Sequence, residues 1–104
     1  MNHPYHLEEM LWMALRTLTS ADSQRKRLEN AYTDHLSDLQ DAELPVAQQA
    51  KFAQLRDAMT HEKHLRAEIA IAAMSDEEVA ETVRLICDLH DSVMDASRPY
   101  PFPR

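Results

Sequence analysis

Residues 7–42 read LEEMLWMALRTLTSADSQRKRLENAYTDHLSDLQDA, and mostly apolar positions recur along them in steps of four and three. These positions are Leu7, Leu11, Ala14, Leu18, Ala21, Arg25, Leu28, Tyr32, His35, Leu39 and Ala42. A heptad pattern held in one phase predicts a long helix packed lengthwise on another helix. We therefore expect a first helix over about residues 4–42.

Two local signals divide the remaining sequence. Pro45 is incompatible with a helix interior, so the first helix should end before it and a second should run over about residues 45–73, with Ile69 on its apolar face. Ser75 and Glu78 have the spacing of a capping box at the start of a third helix, over about residues 76–97. Short connections favour antiparallel neighbours. The predicted fold is an all-α, antiparallel three-helix bundle with coiled-coil-like packing, in a single domain of residues 1–98.

An alternative concerns residues 19–22 of the first helix. Thr19, Ser20 and Asp22 are residue types that favour helix caps over helix interiors. A break there would produce a four-helix bundle in which the first segment folds back on the domain.

The last residues, 99–104, form a separate tail. Prolines alternate there with Tyr100 and Phe102, a pattern that favours an extended polyproline-like conformation. The two aromatic rings are candidate contacts to the domain itself or to a partner.

Composition excludes several classes of function. Eighteen acidic residues against eleven basic ones give a net charge of −7, which disfavours direct binding of nucleic acid. The chain has no glycine, so glycine-dependent phosphate loops are absent. A lone cysteine, Cys87, precludes an intrachain disulfide and suits the cytoplasm. No uncharged stretch approaches the length of a membrane span, and we expect no membrane partner.

The N-terminal helix has more apolar surface than one neighbouring helix requires. Its apolar arc covers about 200° of the helix circumference. In a continuous first helix, residues 4–14 would also extend beyond the end of the second helix. We therefore predict a contact with a second chain, most simply another copy, or with a different protein; folding back of this segment is the intrachain alternative. The predicted interface residues are Leu7, Met10, Leu11, Trp12 and Leu15.

Histidine and cysteine pairs raise the question of a metal site. His61 and His64 lie three residues apart on the second helix, and Cys87 and His90 have the same spacing on the third. These are zinc-binding residue types, but the two pairs point in different directions on the predicted helices. We predict neither a metal nor a cofactor. Cys87 and His90 lack a partner group to stabilise an oxyanion, so we also predict that the chain is not an enzyme.

The leading functional hypothesis is a small cytoplasmic protein-interaction module, such as an adaptor, a chaperone-like protein or a regulatory protein, acting as a homodimer. The first alternative is an acidic inhibitor that mimics nucleic acid on a partner enzyme. The second is a metal-binding helical protein that uses the histidines and Cys87. Salt distinguishes the first two, because ionic mimicry weakens at high ionic strength whereas apolar recognition persists.

Overall fold

The computed structural model describes residues 6–60 and 66–97, and every regular element in these ranges is helical. Five α-helices are present there: α1 (His6–Leu18), α2 (Gln24–Ala31), α3 (Val46–Met59), α4 (Ala67–Ala73) and α5 (Asp76–Ser97). A π-helical turn, Tyr32–Leu36, continues α2, and a 3-10 turn, Asp41–Glu43, precedes α3. The all-α class is confirmed.

The predicted continuous helix over residues 4–42 is wrong, because the chain breaks within residues 19–23. Both the backbone N–H and the hydroxyl of Thr19 donate to the carbonyl of Arg16, at 3.0 and 2.7 Å. Ser23 then caps α2, with its hydroxyl accepting from the Lys26 N–H at 3.2 Å. These bonds satisfy free groups at the two helix ends. The break allows α1 to pack against both α2 and α5 of its own chain.

The predicted helix over residues 45–73 is also interrupted. The Thr60 hydroxyl donates to the Arg56 carbonyl at the end of α3, and Arg66 is extended, with ψ of 156°, where α4 begins. Burial on α4 differs from the apolar face that the sequence predicts. Ala70 and Ile71 are buried, whereas Ile69, which the sequence pattern assigned to the core, is 46% exposed.

The helix starts predicted from Pro45 and from the capping box agree with the structure. Helix α3 starts directly after Pro45, and α5 spans residues 76–97. The capping box is complete: Ser75 N–H donates to Glu78 Oε1 at 2.9 Å, and Glu78 N–H donates to Ser75 Oγ at 3.1 Å. The capping box stabilises the N-terminus of α5, the longest helix among the described residues.

One core joins the helices. Leu11 and Ala14 enter it from α1, and Leu36 takes the core position that the heptad pattern gave to His35, because the π-helical turn shifts the register. The largest fully buried side chains are those of Phe52, Leu11, Leu28, Leu36, Leu55, Met59, Ile86, Leu89, Val79 and Val93. No helix in the described ranges is long and apolar enough to cross a membrane.

Candidate interaction surface

The structure divides the predicted interface residues between the core and the surface. Leu11 is completely buried in its own chain, and Leu7, Met10 and Leu15 are partly buried against the same core. Trp12 differs, because half of its side chain is exposed. The premise of an N-terminal overhang was wrong, since α1 packs on α2 and α5. Trp12 remains as the open part of the predicted surface.

The surroundings of Trp12 carry charges of both signs. The guanidinium carbon of Arg16 lies 5.0 Å from the centroid of the indole ring, in a cation–π arrangement. Arg16 follows Trp12 by one helical turn, and the exposed Glu9 precedes it by nearly one turn. On a helical wheel, Glu9 and Arg16 lie on the same side of Trp12, about 60° and 40° away from it. The indole is thus flanked by a carboxylate toward the N-terminus and a guanidinium toward the C-terminus.

Contacts behind this surface hold α1 in place. The Thr17 hydroxyl lies 3.0 Å from His35 Nε2 on the π-helical turn, and it also donates to the Met13 carbonyl at 3.0 Å. A hydroxyl that donates to Met13 can accept only from a protonated His35 Nε2. The bond between Thr17 and His35 ties the C-terminal half of α1 to the segment that follows α2.

An ion pair that the sequence reasoning missed links Asp41 to Arg56. The two guanidinium nitrogens bind the two carboxylate oxygens, with Nη2 and Oδ2 at 3.0 Å. The hydrogen bond from Arg56 holds the pKa of Asp41 below its ordinary value. The same guanidinium lies 5.7 Å from the centroid of the Phe52 ring. The pair fastens the 3-10 turn to α3, and its position gives it a structural role.

The candidate metal ligands are only partly described. His61 and His64 lie outside the described residues, and the described ones contain no group of three or more His, Cys, Asp or Glu residues arranged to hold a metal ion. Cys87 is half-buried, and burial raises the pKa of its thiol, with a further contribution from Asp91 and Asp88. His90 Nδ1 lies 3.2 Å from Asp91 Oδ1. A thiol with a raised pKa is mostly protonated at neutral pH, which makes it a poor nucleophile.

Comparisons with known proteins give no match: no family model, no curated protein and no solved structure matches this chain. The tail aromatics Tyr100 and Phe102 lie outside the described residues. Functional inference therefore depends on the surface chemistry of the described helices, and the absence of catalytic activity stays a prediction.

Proposed function

We propose that this chain is a cytoplasmic protein-interaction module that forms a homodimer through α1, with Trp12 near the twofold axis. The observation that carries the proposal is the half-exposed indole of Trp12 on a helix whose other predicted interface residues pack inward. Tryptophan combines a large apolar area with few rotatable bonds, and it is enriched among residues that dominate binding energy. Covering the exposed part of the ring would remove apolar surface from water.

Charge placement supports a second copy as the partner. A twofold contact pairs the same surface of both subunits, and the two α1 helices run antiparallel when the axis is perpendicular to them. Residues before Trp12 in one copy then face residues after Trp12 in the other. Since Glu9 and Arg16 lie on the same side of Trp12, the Glu9 carboxylate would meet the second copy's Arg16, and the reciprocal pair would form as well. Such complementarity favours this orientation over a parallel one, which would form neither pair.

The small area of the proposed α1 contact predicts a low affinity for the dimer. Helix α1 has 13 residues and is therefore about 20 Å long. A contact made mainly by one helix from each subunit falls at the low end of the areas seen in specific interfaces. The dimer should therefore be weak and dependent on concentration, which suits an adaptor or regulatory protein that exchanges partners.

The decisive experiment measures mass by light scattering after size exclusion. The natural chain should be a dimer at high concentration, and Trp12→Asp should be a helical monomer, because the new carboxylate stays solvated in the monomer but would be desolvated in the contact. Val46→Asp is the matched control: Val46 is 85% exposed on α3, so this change adds the same charge at an exposed apolar site on another helix. Val46→Asp should leave the dimer intact.

A charge exchange tests the orientation. Arg16→Glu and Glu9→Arg should each weaken the dimer, because each places like charges opposite one another across the axis. The double variant should restore association, since it exchanges the signs within both pairs. A natural chain that stays monomeric at high concentration, or a double variant no better than either single one, would refute the proposed dimer.

A further inference from the structure

A second surface, separate from α1, is a groove between α3, α4 and α5 with a volume of about 360 Å³. Small residues leave this space open: Ala58 comes from α3, and Ala70 and Ala73 come from α4. Met74, Glu78 and Glu81 also line it. The groove therefore combines apolar walls with acidic residues contributed by α5.

The apolar surface continues outside the groove. Ile69 lies one helical turn before Ala73 on α4, and its side chain is 46% exposed. Exposed apolar area that adjoins a concave site is typical of surfaces that bind another molecule. One large apolar side chain of a partner would fill the space above the alanines and also contact Ile69.

The acidic residues are placed for recognition of positive charge. Glu78 and Glu81 are three residues apart on α5, so they lie on neighbouring positions of one helix face. The capping box orients Glu78, and the backbone hydrogen bond from Ser75 lowers the pKa of this carboxyl, which keeps it ionised at neutral pH. The net charge of −7 adds a long-range attraction for basic molecules.

We infer that this groove binds an amphipathic helix of a partner protein, which inserts a large apolar side chain and pairs lysine or arginine residues with Glu78 and Glu81. The spacing of the two carboxylates matches basic residues three or four positions apart on the bound helix. The basic segment of this chain, residues 25–27, is already engaged: Arg25 binds the Ile71 carbonyl and Asp76, and Lys26 pairs with Glu29. A different protein is therefore the better occupant than a second copy.

The test uses a fluorescent synthetic helix of leucine and lysine, about 18 residues long so that it can fold, and follows binding by anisotropy. The natural chain and Trp12→Asp should bind this peptide equally. Glu81→Lys should weaken binding at least about fivefold, because it replaces an attraction with a repulsion at the contact. Asp34→Lys is the matched control, with the same charge change at an exposed residue outside the groove lining, and it should bind as the natural chain does.

A second variant tests the apolar part of the site. Ala73→Trp should fill the groove and abolish binding, and circular dichroism should show that it stays helical, because Ala73 is exposed. Absence of binding to the natural chain, equal binding by Glu81→Lys and Asp34→Lys, or unchanged binding by Ala73→Trp would overturn the inference. If Ala73→Trp were monomeric and Trp12→Asp were still a dimer, the groove would be the contact between two copies of this chain. That result would also overturn the inference. Light scattering tests the α1 dimer separately, so the two proposals fail independently.

Discussion

Replacing Leu11 by alanine tests whether α1 belongs to the core of its own chain. The Leu11 side chain is 0% exposed and packs within the same core as Leu28 and Ile86. Shortening a fully buried leucine to alanine destabilises a protein by about 2–5 kcal/mol, through lost burial and the cavity left behind. We expect about 3 kcal/mol here, a large part of the ~5–15 kcal/mol by which a domain of this kind is stable.

This loss of stability should be easy to measure. For a domain near this size, about 3 kcal/mol corresponds to a fall in melting temperature of ~12–24 °C. Val46→Ala is the control, because Val46 is 85% exposed. Shortening such an exposed side chain should change the free energy of unfolding by less than ~0.5 kcal/mol.

The assay is urea unfolding followed by circular dichroism, in the Trp12→Asp background and at several protein concentrations. The background removes the proposed α1 contact, so the free energy of unfolding should not vary with concentration. The reasoning is refuted if Leu11→Ala lies within ~1 kcal/mol of its parent, below the range for a buried leucine. A destabilisation that grows with protein concentration would also refute it, since it would place Leu11 in a contact between chains.

Two further predictions concern pH and metal. The hydrogen bond from Arg56 lowers the pKa of Asp41 in the folded chain. The ion pair therefore stabilises the protein fully at pH values above the ordinary pKa of a carboxyl group. This contribution is lost as the pH falls through the lowered pKa of the folded chain. Urea unfolding from pH ~6 down to pH ~2 should therefore show a smaller acid-induced loss of stability in Asp41→Asn than in the natural chain, and equal losses would contradict the assignment. Stoichiometric zinc should leave the melting temperature unchanged, and a rise that disappears in Cys87→Ala or His61→Ala would reveal a metal site.

Several helix ends were predictable because they depend on nearby residues alone. Pro45 excludes itself from a helix interior, and Ser75 and Glu78 exchange hydrogen bonds across three residues. The resulting starts of α3 and α5 agree with the prediction. The apolar character of α1 was also evident, but the assignment of Leu11 to an interface depended on the assumed continuity of the first helix.

The groove between α3, α4 and α5 had no signal in the sequence. Ala58, Ala73 and Glu81 belong to three different helices, and nothing in their local spacing shows that they share a surface. Helix α4 also buries Ala70 and Ile71 rather than Ile69, so the predicted core residue Ile69 lies at the surface instead. Side chains brought together from separate elements can be identified only when the packing of those elements is known.

The sequence by itself determined that this chain is helical, where proline and the capping box start two of its helices, and that its N-terminal segment is rich in apolar residues. Only the tertiary structure decided that the first helix breaks after Leu18, that Leu11 is buried and that Trp12 stays half exposed. The physical reason is that a continuous and a broken helix satisfy the local pattern almost equally well, because Thr19 and Ser23 replace hydrogen bonds lost at the break. The choice between them comes from burying α1 against α2 and α5, and the contacts with α5 join residues far apart in the chain.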